Sequence, residues 1–298
     1  MRLHPAFGLC SLLLLLLSGQ YLQAAQGMTY RLAREGAPTS YLMGTMHSAD
    51  ERVMALLGEV GPLIERVDLV AVEMLPDAVT LLAVGAATLL PAEQSLRGLI
   101  GAERFAALRA AADQRDLPHG LLNRLKPWAA AVTLGMPSSD KGRFLDTEIY
   151  LRALASKRRA VGLETAAEQL AAFDDMGPDL QIALLDAVIK NVSELPTQLE
   201  LLTTAYLAGD LAHLDRLARA EYEAMPPAVA HWFNEELIVR RNARMLARLA
   251  ELMEKQSVFV AVGALHLGGD SGLLAGLSRL GYRIEPWPVR QGEPASRP

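Results

Sequence analysis

Cysteine is nearly absent: Cys10 is the only one in 298 residues. A lone thiol excludes an intrachain disulfide and a cysteine-built zinc site. Positive charge is also scarce. The formal net charge is -5 and the lysines and arginines are scattered, so the basic stripe that nucleic acid binding demands is missing. The densest basic run, "SKRRAVGLE", reads as a solvated helix end leading into a strand. Long apolar runs are lacking too. The leucine-rich one, Leu9 to Leu17, falls well short of the roughly 20 residues that cross a bilayer. No Gly- or Ser-rich linker divides the chain, which argues for one domain. What is plentiful is apolar residue, 51% of the total, enough for a sizeable core and too much for a disordered chain.

The N-terminus has the three-part layout of a secretory signal peptide: Arg2 in the first few residues, the leucine run, then "SGQYLQAA" with small residues at Ala24 and Ala25. The expectation is a leader over residues 1–24, one folded domain over 25–290 and a polar tail over 291–298, "QGEPASRP". The mature protein would be exported, to the periplasm, without cysteine and without a stable membrane span.

Four continuous apolar runs read as strands covered on both faces: "SYLMGTMH" (Ser40 to His47), "DLVAVEM" (Asp68 to Met74), "RAVGLET" (Arg159 to Thr165) and "VFVAVGALH" (Val258 to His266). "MTYRLA" forms a hairpin with the first, and "YRIEPW" follows the last. Helical patterns lie between them, including long stretches from Pro178 to about Leu207 and from Ala228 to Glu254. The alternation predicts an α/β (α+β) fold with a central, mostly parallel or mixed sheet. Its large helical insertion, between the third and fourth main strands, would form a lid or subdomain.

Two of these strands end alike, "GTMH" and "GALH", each a Gly-x-x-His. The other two each place a glutamate where the apolar run stops. His47, Glu73, Glu164 and His266 would therefore meet beyond the carboxyl ends of parallel strands, where open α/β sheets bind ligands. The glycines would let the backbone turn sharply without a crowding Cβ. Two imidazoles with one or two carboxylates form a ligand set for Zn, Mn, Co or Fe. Glu73 needs a partner after its apolar run, and a metal, an arginine or an imidazole would each serve. Glu164 serves equally as a cap for the helix beginning "TAAEQL".

Arg241 falls inside an apolar stripe of Ala230, Phe233, Leu237, Ile238, Met245 and Leu249. A guanidinium there needs an anion, either Glu73, Glu164 or a developing oxyanion in a substrate. Arg240 and Arg244 read as solvated. "GGDSG" looks like a serine nucleophile motif, but in a largely helical chain Asp270 and Ser271 read as caps for the helix "GLLAGLSRLG", with Gly268 and Gly269 making the turn.

"YLMGTMHSAD", "LVAVEM", "RLKPWAAAVTL", "VGLETAAEQLAAF", "RRNARM" and "VFVAVGALHLGGDSGLLAGLSRLGYRIEPW" occur in the order seen in the TraB/GumN family, and the chain resembles that family and its Tiki-like metalloprotease branch. The resemblance implies a metal-dependent hydrolase, a peptidase. His47, Glu73 and His266 would hold a divalent metal, Mn or Co favoured and Zn or Fe possible. Glu73, Arg241 and Glu164 would supply the catalytic carboxylates and guanidinium. It also resembles erythromycin esterases, which implies a metal-independent alternative acting on a small ester or amide. A non-catalytic protein binding a peptide or signal molecule is the third reading.

Overall fold

The computed structural model describes residues 28–136 and 144–287; the expected leader and tail lie outside the described residues. Six strands form one mixed sheet in the order β4-β3-β5-β2-β1-β6. They are β1 (Thr29–Ala33), β2 (Ser40–Thr45), β3 (Leu69–Val72), β4 (Arg159–Gly162), β5 (Val258–Gly263) and β6 (Arg283–Pro286). β4, β3, β5 and β2 run parallel as neighbours, while β1 is antiparallel to both β2 and β6. The predicted hairpin is therefore present, and it turns a parallel sheet into a mixed one.

Helices fill the connections. α1 (Glu51–Met54) and α2 (Leu56–Ile64) join β2 to β3. Between β3 and β4 come α3 (Ala78–Ala87), α4 (Leu96–Ile100), α5 (Ala102–Asp113), α6 (Pro127–Gly135) and α7 (Leu145–Ala155). Between β4 and β5 come α8 (Ala166–Asp174), α9 (Pro178–Asn191), α10 (Leu195–Leu207), α11 (Leu211–Glu223), α12 (Pro227–Trp232), a π-helical stretch Phe233–Val239, and α13 (Arg240–Met253). After β5 a 3-10 turn, Ala264–His266, leads to α14 (Leu273–Arg279). The long helical run through Pro196 breaks after Asn191 and restarts at Leu195, so that Pro196 sits in a first turn, where its missing N–H costs nothing.

Alternation along β5 shows how the sheet is buried on both faces. Phe259 and Ala261 pack with Val53, Ile64, Ile149 and Tyr206 on one side, while Val258, Val260 and Val262 pack with Met245, Leu249, Leu273 and Leu277 on the other. A third cluster lies off the sheet, within the helical insertions: Leu96, Trp128 and Leu134 come from before β4, and Leu185, Val229 and Trp232 from after it. The helical body thus draws on both insertions, not on the second alone. Among the described residues no helix is long and apolar enough to cross a membrane.

Candidate active site at the strand ends

The strands stop before the residues that the sequence singled out. β2 ends at Thr45, opposite Gly263 of β5; β3 ends at Val72, opposite Gly162 of β4. Each candidate therefore projects from the first residues beyond a strand, on the same edge of the sheet. There His47, Glu73, Arg241 and His266 line one cavity of about 360 Å³.

Glu73 is held from three directions. Its Oε1 accepts a hydrogen bond from the Gly263 N–H at 2.6 Å, its Oε2 accepts from Arg241 Nη2 at 2.5 Å, and His266 Nε2 stands 3.7 Å from Oε1. Burial works against ionisation of Glu73, but the charges of His266 and Arg241 and the Gly263 N–H outweigh it and hold the carboxyl at about 2. Burial pushes the His266 imidazole down, against the upward pull of Glu73. With His266 neutral, Arg241 and the Gly263 amide still keep Glu73 an anion.

Arg241 spans both glutamates, donating from Nε to Glu164 Oε2 at 2.8 Å while Nη2 holds Glu73. Of the partners open to it, the two carboxylates are the ones it takes. Glu164, whose side chain is 0% exposed, also accepts from Arg244 Nη1 at 2.7 Å. Arg244 is thus partly buried and paired instead of solvated, a second cation on a carboxylate that water does not reach. Arg240 stays at the surface beside Glu236. Glu164 does not cap α8: Thr165 does, in a capping box with Glu168.

Each Gly-x-x-His ring has an oxygen partner on Nδ1. Asn242 turns its Oδ1 to His266 Nδ1 at 2.7 Å and anchors its own Nδ2 on the Ser271 carbonyl at 3.0 Å. That orientation puts the proton on Nδ1 and leaves Nε2 with a lone pair facing Glu73. On the other ring, Asp146 Oδ2 lies 3.1 Å from His47 Nδ1, slightly off the line of an ideal hydrogen bond, and Thr45 Oγ1 donates to Oδ1 of the same carboxylate. Asp146 raises the His47 imidazole above its ordinary value, and burial opposes the rise only in part. His47 remains 61% exposed, whereas His266 is enclosed. Sequence reasoning missed Asp146 and Asn242. Asn242 stood next to Arg241 in "RRN" and was open to notice; Asp146 lies about a hundred residues from His47 and carries no local signal.

The glycines of the two motifs matter for closeness and not for handedness. A Cβ on Gly44 would lie 2.6 Å from Leu267 and 3.0 Å from the Ala264 backbone, and one on Gly263 would press on Glu73 Oε1 at 3.1 Å. "GDSG" is scaffold, though not as caps: the N-cap of α14 is Gly272, with no side-chain cap, and the Asp270 and Ser271 carbonyls accept bonds from Arg279 and Asn242. The turn is set by backbone contact, since a Cβ on Gly272 would fall 2.1 Å from the Gly268 carbonyl oxygen. Gly269, at φ +75°, is the residue that reverses the chain.

Among the described residues no three His, Cys, Asp or Glu side chains gather closely enough to hold a metal ion. The donor chemistry nonetheless suits one. Two ligands on one ion at about 2.0–2.2 Å stand roughly 3–3.5 Å apart, close to the separation of His266 Nε2 and Glu73 Oε1.

The chain is 25% identical over 312 residues to Metalloprotease TIKI1 of Danio rerio, in an alignment covering 87% of this chain and 63% of that protein. It therefore spans less than two thirds of the length of that relative. No solved structure matches the chain. The model of the TraB/PrgY/gumN family matches residues 28–286, the whole of the sheet and both helical insertions, and the chain belongs to that family.

Proposed function

We propose that the protein is a hydrolase, a metal-dependent peptidase, with His266, Glu73 and His47 as the metal ligands. One observation carries this reading. Both motif imidazoles have Nδ1 turned onto a side-chain oxygen, which leaves Nε2 of each without a hydrogen-bond partner among the described residues, on the same cavity as an ionised glutamate. A divalent cation bound there would lower the pKa of a water ligand toward neutrality and polarise a carbonyl; family resemblance favours Mn or Co over Zn or Fe. Asn242 and Asp146 fix the ring orientations. Arg241 positions Glu73 and keeps it anionic, and Glu164 in turn positions Arg241. Export to the periplasm belongs to the same proposal.

Metal analysis of the purified protein should find stoichiometric Mn, Co, Zn or Fe, and His47→Ala and His266→Ala should each abolish peptide hydrolysis. Metal-free protein with hydrolysis unchanged in both variants sinks the proposal. A second reading, ester or amide hydrolysis with His266 as general base, draws on the neutral, lone-pair-bearing Nε2 of His266 beside Glu73. Activity that survives chelators but is lost in His266→Ala selects it. Saturable peptide binding without turnover selects a binding protein instead.

A further inference from the structure

The cavity has a second character that the reacting groups do not explain. Besides Glu73 and the two histidines, the lining carries a wall of aliphatic and aromatic side chains: Leu199 and Leu202 from α10, Leu214 from α11, and Phe233, Leu237 and Ile238 from the π-helical stretch. The charged side chains on the lining are Glu73 and Arg241, which pair with each other, and His47, when protonated, is itself paired with Asp146. A charged substrate side chain entering here would shed its water against leucines and meet no free counter-ion. An apolar one would bury its surface.

We infer that this wall is a side-chain subsite, admitting a bulky aliphatic or aromatic group beside the carbonyl to be attacked, and that Leu199, Leu202 and Leu237 set the preference. The inference rests on the hydrolase reading for its catalytic meaning, though not for binding. Size agrees: about 360 Å³ is at the lower end of the ~300–1,000 Å³ of small-ligand pockets, room for one large side chain and its flanking backbone. Placement agrees as well. The Tyr206 hydroxyl donates to the Gly44 carbonyl at 2.8 Å, tying α10 to β2, so the wall is fixed at a set distance from the histidine motif that follows that strand. The π-helical turn, whose Arg240 N–H reaches back five residues to the Glu235 carbonyl, widens the helix where it supplies Phe233, Leu237 and Ile238 to the wall.

The test has a binding arm and a turnover arm. In the first, N-acetyl amides of leucine, phenylalanine, aspartate and lysine are titrated into the full chain and followed by methyl chemical shifts of the cavity leucines. Leucine and phenylalanine amides should bind at least about tenfold more tightly than the other two, as a hydrophobic pocket discriminates. Leu199→Gln should erase most of that preference; because Leu199 belongs to none of the buried clusters, the variant keeps its fold. Leu237→Gln, on another element, should do the same. Equal binding of all four amides, or a preference untouched by both variants, overturns the inference whatever the activity. In the second arm, peptides varied at the residue donating the scissile carbonyl should show the same order in kcat/KM. Hydrolysis without that order also overturns the subsite, while apolar-selective binding with no hydrolysis overturns the hydrolase reading and leaves the subsite standing.

Discussion

Asn242 illustrates how much of the site depends on groups that never meet a substrate. It is buried, it accepts from His266 Nδ1, and its amide is itself locked on the Ser271 carbonyl, so the ring has one orientation and one tautomer. Asn242→Ala frees both, and activity or metal affinity should fall by about 10–100-fold with the fold intact by circular dichroism; an unchanged variant would show that His266 needs no such support. Glu164 is buried just as fully. Glu164→Gln leaves Arg241 and Arg244 facing an uncharged amide, and loss of one member of a buried pair costs about 3–5 kcal/mol, readable as a shift in the denaturant midpoint. Arg244→Gln, which is partly solvated, should cost clearly less. Equal costs would mean that Glu164 holds both arginines with no contribution from burial.

At the scale of the element, α8 offers a clean pH experiment. Thr165 Oγ1 accepts from the Glu168 N–H, and the Glu168 carboxylate accepts from the Thr165 N–H and from Arg248. The Arg248 hydrogen bonds, with the Thr165 amide, depress the Glu168 carboxyl from its ordinary 4.5 to about 2. A depressed folded-state value means that the stabilisation is full above 4.5 and is lost as the pH falls toward about 2. Glu168→Gln should flatten that portion of the stability profile, and Thr165→Ala should cost about 1 kcal/mol at neutral pH; profiles that superimpose with wild type would contradict the box. The capping pattern Thr-x-x-Glu was written in "TAAE", yet Glu164 beside it seemed an equal cap, because a sequence shows which side chains are adjacent but not which way each turns. The strands, by contrast, were legible nearly to the residue. Continuous apolar runs leave few alternatives once both faces are covered, so the starts fall within one residue; all four ends overshoot by two or three residues, the stretches that leave the ladder carrying His47, Glu73, Glu164 and His266.

For the whole molecule, four parallel strand ends gather residues that lie up to about two hundred positions apart, and the two helical insertions close over them. A ligand bridging β2, β3 and β5 should therefore stabilise the entire fold. Mn or Co at about 100 times its dissociation constant would add about 2.7 kcal/mol, raising Tm by about 4–5 °C for a chain of this size; His47→Ala should abolish the rise. A Tm indifferent to both metals would remove the metal from the proposed chemistry. The same long-range assembly explains why Asp146 was invisible in the sequence, since its pairing with His47 exists only after α7 docks beside β2. The π-helical stretch Phe233–Val239 carries a consequence of another kind. Val229 and Trp232 before it are seated in the helical core, Met245 and Leu249 after it in the sheet core, and Arg241 must face Glu73 between them. Each residue of an α-helix advances the face by about 100°, and a turn closed over five residues advances it by less per residue. Like a leap day in a calendar, the wide turn resets the phase between the two halves of one rod, so that the face α13 presents is offset from the one α12 presents.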